Sequence, residues 1–101
     1  MYKILIAAPL TLAAQILVKK IQEIAVQKGE KFEVTLLSET EATKQHSQFD
    51  VILLAPTLRF LINYDIFPEK TTTVIESEDF GSLDATAIFQ NICSLIVSAN
   101  I

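Results

Sequence analysis

The sequence predicts a doubly wound α/β fold, with a four-stranded parallel sheet in the order 2-1-3-4 and helices on both faces. Three observations carry this. The runs Tyr2–Ala8 and Asp50–Ala55 are almost unbroken apolar residues, as in strands covered on both sides; a strand wetted on one side would alternate. Such runs alternate along the chain with segments of helical period. Regular β-α alternation then requires right-handed crossovers, which leave the strands parallel. At 101 residues, half apolar and a fifth charged, residues 1–101 read as one compact domain, too short for a second core.

Tyr2–Ala8 is the first strand. Thr11 then caps a long amphipathic helix, and Gly29 ends it in a left-handed turn. Leu12, Ile16, Leu17, Ile21, Ile24 and Ala25 form its expected buried face, with Gln15, Lys19, Gln22, Glu23 and Lys28 opposite. Phe32–Leu37 is the second strand and Glu39–Gln45 a short polar helix. Asp50–Ala55 is the third strand, and Thr57–Tyr64 reads as a helix starting just after Pro56. Pro68 marks the turn before a fourth strand, Thr72–Glu76. The last helix is expected over about Leu83–Ser98, capped by Ser82, with Asp84 complementing its dipole. Leu83, Ala87, Ile88, Ile92, Leu95 and Ile96 make its buried stripe.

Composition excludes several functions. A net charge of −4 and scattered lysines argue against nucleic-acid binding, which needs a basic stripe. The apolar runs are far shorter than the roughly 20 residues of a membrane helix, so no direct membrane insertion is expected. No signal-peptide pattern is read, and a lone cysteine, Cys93, cannot form an internal disulfide. These features suit a cytoplasmic protein. Cys93 falls in an apolar helical segment and reads as a buried, inert thiol. No metal-ligand spacing or cofactor fingerprint is present, and the chain's two glycines exclude a glycine-rich nucleotide loop.

In the order 2-1-3-4 the winding reverses between strands one and three. A ligand crevice is therefore expected where Ala8–Thr11 faces Ala55–Phe60. A strand-to-helix junction of this kind suits anion chemistry, yet Ala7-Ala8-Pro9-Leu10 offers no Cys, Asp, Ser, His or Gly. A receiver-type domain would need acidic residues after strand one and an aspartate ending strand three, where Ala7-Ala8 and Ala55 stand. A low-molecular-weight tyrosine phosphatase would need a cysteine and an arginine in the first loop.

The segments Lys3-Ile-Leu-Ile, Ile16-Leu17-Val18-Lys19-Lys20-Ile21 and above all Asp50-Val-Ile-Leu-Leu-Ala-Pro56-Thr-Leu-Arg59-Phe60-Leu carry a resemblance, with Val74-Ile75-Glu76 and Asp79-Phe80-Gly81 adding to it. The chain resembles the lactose/cellobiose-type IIB component of the bacterial phosphoenolpyruvate-dependent sugar phosphotransferase system. That family typically reads D-V-V-L-L-G-P-Q-V-R-Y-M in the third-strand segment. The resemblance implies a phosphate-accepting cysteine in a loop of the form C-x-A-G-M-S-T. Aligned through Ile16-Leu17-Val18, the cysteine position falls on Ala8, the glycine position on Thr11, and the hydroxyl positions on Ala13 and Ala14. Transfer through such a loop needs a thiolate and free N–H donors; Ala8 supplies no nucleophile and Pro9 no donor.

Two functions follow. One is a non-catalytic, partner-binding or regulatory IIB-like protein, whose partner would be a IIA-like protein, a membrane sugar transporter component or a regulator. The other is an active phosphocarrier in sugar uptake using an unrecognised acceptor. Thr11 has a hydroxyl near the crevice but reads more simply as a cap, and His46 as an exposed loop histidine. Arg59 could hold an anion or a partner carboxylate, or be a plain surface arginine. Glu76, Glu78 and Asp79 could face a metal or a basic partner, or form a solvated turn. The expected binding face is Ala8, Pro9, Leu10, Thr11, Leu58, Arg59 and Phe60: an apolar patch around one cation, suited to another protein or a second copy.

Overall fold

A computed structural model describes residues 2–63 and 72–99. Strands β1 (Tyr2–Ala7), β2 (Phe32–Leu37), β3 (Val51–Leu54) and β4 (Thr72–Val74) form one parallel sheet in the order β2-β1-β3-β4. The register places Ile4 beside both Val34 and Val51, and Ala7 beside both Leu37 and Leu54. The helices are α1 (Leu12–Gln27), α2 (Glu39–Gln45), α3 (Ser77–Gly81) and α4 (Ala85–Ala99).

The sheet divides the core in two. Ile4, Ile6 and Ala8 of the first strand and its exit, with Val51, Leu53 and Ala55, point to the side covered by α1 and α4. Leu5, Ala7, Ile52 and Leu54 point to the other side, where Ala42 of α2 and Leu58 and Leu61 close the layer. This is the period-two alternation of strands buried on both faces.

Local chemistry sets the helix ends. The Thr11 hydroxyl accepts the Ala14 N–H at 3.1 Å, so Thr11 caps α1 as expected. At the other end Gly29 takes φ +71°; its N–H reaches the Val26 carbonyl and the Glu30 N–H reaches that of Ala25, a Schellman closure. Gln22 clamps the outer edge of β2: its amide nitrogen donates to the Phe32 carbonyl at 2.8 Å and its amide oxygen accepts from the Val34 N–H at 2.9 Å. A side chain thereby occupies backbone groups that an edge strand would otherwise offer to another chain.

Several expectations need correction. The buried stripe of α1 is Ala14, Leu17, Ile21 and Ala25; Leu12 and Ile16 are exposed and Ile24 is half-buried. The helix expected over Thr57–Tyr64 is a 3-10 segment, Pro56–Asn63, kinked at Leu58 (φ −107°, ψ 15°); Tyr64 and the turn at Pro68 lie outside the described residues. The first, third and fourth strands are shorter than expected, since Ala8, Asp50, Ala55, Ile75 and Glu76 flank their ladders.

The start of the last helix also differs. Asp84, not Ser82, caps α4, accepting the Ala87 N–H at 3.1 Å. Ser82 instead follows the unforeseen α3 and donates its hydroxyl to the Glu78 carbonyl at 2.7 Å. Leu83 joins the two helices at φ +55°, a left-handed turn that costs a branched residue about 1–2 kcal/mol and is offset by its packing against the core. The α4 stripe is Ala85, Ile88, Phe89 and Ile92, with Leu83, Leu95 and Ile96 half-buried around it.

Candidate functional site

The reversal of winding brings the exits of β1 and β3 together at the C-terminal end of the sheet. The Ala55 N–H donates to the Ala7 carbonyl at 2.9 Å, and the Ala8 N–H donates on the other side to Leu37 at 3.1 Å. Ala8–Thr11 and Ala55–Phe60 are therefore the adjacent exits at the switch point.

Part of the first loop's backbone donors is satisfied within the chain. Besides the Ala8 N–H held by β2, the Thr11 N–H closes a tight turn onto the Pro9 carbonyl at 2.8 Å. Ala14 gives its N–H to the Thr11 hydroxyl, and Pro9 has none to give. Of the expected site residues, Ala8 and Leu58 are buried, both below a tenth exposed, with their side chains on opposite faces of the sheet. They support the end of the sheet from inside, so Leu58 is no part of the presented patch. Pro9, Leu10, Thr11, Arg59 and Phe60 are exposed.

The apolar surface instead extends along α1. Leu10 is 59% and Leu12 73% exposed, and Ile16 stands one turn beyond Leu12 on the same side of the helix. Leu12 and Ile16 were missed as surface residues because helical spacing placed them with the buried stripe.

The model of the lactose/cellobiose-specific IIB subunit of the PTS system matches residues 3–91, nearly the whole chain. The chain belongs to that family. Its fold is also that of the solution structure of a cellobiose-specific phosphotransferase IIB component protein from Borrelia burgdorferi, with a TM-score of 0.74 at 22% identity, covering 93% of this chain and 90% of that one. The search of curated proteins returns no match.

In this IIB-family chain, acidic side chains flank the central exits. Glu39 and Glu41 lie in the first turn of α2, after β2, beyond the capping Ser38. Glu76 follows β4, and Glu78 and Asp79 begin α3. The acids after β4 are thus part of a short helix and not of a bare turn. Gly81 as a stop and acids in the first turn were signals for it.

The other titratable candidates lie apart from the crevice. His46 is half-buried rather than exposed, at the end of α2, with Nδ1 2.9 Å from the Thr43 carbonyl. Cys93 is half-buried in α4. Burial pushes its thiol pKa up, the Glu30 carboxylate pushes it further, and Lys28 opposes them. A cavity of about 130 Å³ beside Cys93 is lined also by Tyr2 and Phe32, at the opposite end of the sheet. A larger one, about 260 Å³, lies between the end of β4 and α4, bounded by Thr73, Glu76, Asn91 and Ser94. Among the described residues no helix is long and apolar enough to cross a membrane.

Proposed function

We propose that this chain is a non-catalytic IIB-type protein of a sugar phosphotransferase system, a cytoplasmic single domain that binds a protein partner and does not carry a phosphoryl group. The observation that carries this reading is the state of the first loop. Ala8 stands where the family resemblance puts the acceptor cysteine, and its side chain is buried under α1 and α4. The N–H groups of Ala8, Thr11 and Ala14 are committed within the chain, and Pro9 has none. A phosphate bound there would meet few converging donors and no nucleophile.

The partner is a IIA-like protein, a membrane sugar transporter component or a regulator, met by the exposed residues of the first and third exits. Incubation with phosphoenolpyruvate, the general phosphotransfer proteins and a IIA protein, followed by mass spectrometry, tests the reading. The expected result is an unchanged mass; a gain of one phosphoryl group shows an active carrier with another acceptor. Inorganic phosphate at low millimolar concentration is expected to leave the amide resonances of Leu10–Ala13 in place, and shifts there would contradict the closed loop.

A further inference from the structure

The end of the sheet where the patch lies has a charge pattern that the order β2-β1-β3-β4 makes spatial. The exits of β1 and β3 are central, and those of β2 and β4 are outermost. The central exits present Pro9, Leu10 and Leu12, with Arg59 as the basic residue among these described loops. The exit of β2 presents Glu39 and Glu41, and that of β4 presents Glu76, Glu78 and Asp79. On one face of the sheet α3 packs against the α4 it leads into, and α4 packs against α1 and β3. The apolar centre is thus bracketed by carboxylates on both sides. Each helix N-terminus offsets only about half a charge, so the field at this end stays negative.

We propose that this surface docks a protein segment with an apolar centre and flanking lysines or arginines, deepening the partner-binding reading on which it rests. Electrostatic complementarity at a rim sets partner choice and encounter rate, while the apolar centre supplies the contact. The same field disfavours two other occupants. A phosphorylated or acidic surface would meet carboxylates on both flanks. A second copy of this chain, apposed through the same end, would bring its own carboxylates against these.

The test uses the whole chain, isotope-labelled, and two synthetic amphipathic leucine-rich helical peptides that differ only in flanking lysines or flanking glutamates. The lysine-flanked peptide is expected to shift the amides of Leu10–Ala13 and Ser77–Phe80. It should bind about tenfold or more tightly than the glutamate-flanked one, with the difference shrinking as salt rises. Arg59→Glu, at an exposed position, should tighten the lysine peptide, and Glu76→Lys combined with Glu78→Lys, which neutralises the net charge of this end, should abolish the preference. The exposed Val26 and Val97, away from this end, serve as references for non-specific contact.

Equal binding of the two peptides, or weaker lysine-peptide binding by Arg59→Glu, overturns the charge assignment and leaves the docking reading standing. Shifts centred on Val26 or Val97, or no binding by either peptide, overturn the surface itself. Self-association through Leu10–Ala13 overturns the occupant. A phosphoryl gain in the mass assay sinks the non-carrier reading without bearing on which peptide binds.

Discussion

Two strands of this chain leave the sheet through the same dipeptide and arrive at different structures. Ala8-Pro9 follows β1 and Ala55-Pro56 follows β3, and both alanines are fully buried on the same face. After Ala8 the chain makes a tight turn through Pro9, Leu10 and Thr11, and Thr11 caps a regular helix of 16 residues. After Ala55-Pro56 the Leu58 N–H folds straight back onto the Ala55 carbonyl at 2.8 Å, and Pro56 opens a kinked 3-10 segment. Proline fits either role, because its fixed φ suits an extended residue before a cap as well as a first helical position. What differs is the residue two places on. Thr11 supplies a capping hydroxyl at the first exit, whereas Leu58 at the second is drawn into the core beneath the sheet.

That contrast can be broken at several points. The largest expected effect is on the leucines. Leu58→Ala should destabilise the chain by about 2–5 kcal/mol, as for other buried leucines. Leu12→Ala, on the exposed side of α1, should change stability by less than about 0.5 kcal/mol. Urea unfolding of both variants checks this, and similar losses would show that the start of α1 is covered rather than open.

A thiol placed at either exit comes next. Ala8→Cys and Ala55→Cys put sulfur on the same buried face, where it is desolvated. Both should cost about 1–3 kcal/mol if the core resists the added volume. Both should alkylate more slowly than an exposed cysteine, and Ala8→Cys alone should not accept a phosphoryl group. Acceptance by Ala8→Cys would mean that the first exit is open to its partner after all.

The threonines test the caps. Thr11→Ala should lower stability by about 1 kcal/mol, because the Ala14 N–H loses its acceptor. Thr57→Ala, at an exposed place in the second exit, should be within about 0.5 kcal/mol of the parent. Equal effects would remove the cap as the cause of the difference between exits.

Cys93 gives the natural reference for these engineered thiols and the smallest effect. Its pKa is raised in the folded chain by burial and by Glu30, so the folded state holds the proton more tightly than the unfolded one. The associated stabilisation is complete below the ordinary thiol pKa and is lost as pH rises through the raised value. Alkylation of Cys93 should therefore be slow at neutral pH and accelerate at alkaline pH. Glu30→Gln should speed it modestly at a given pH, and a slower reaction would reverse the assigned sign.

The sequence by itself determined the order of the strands and of the two long helices, the parallel sheet and its 2-1-3-4 arrangement. These rest on unbroken apolar runs, on period and on the handedness of crossovers, all local or topological rules. It also determined Thr11 and Gly29 as the two ends of α1, since a hydroxyl cap and a positive φ are demands of single residues. Tertiary structure decided which side of α1 is buried. Weighting bulky residues selects Leu12 and Ile16, but the helix lies on the sheet and α4 through Ala14, Leu17, Ile21 and Ala25, where small alanines permit close approach. Tertiary structure also decided that Leu58 faces inward, that the Ala8 side chain lies beneath α1 and α4, and that the acids after β2 and after β4 lie at the same end of the sheet. Period fixes angles within an element; which neighbour covers each angle depends on where the other elements come to rest.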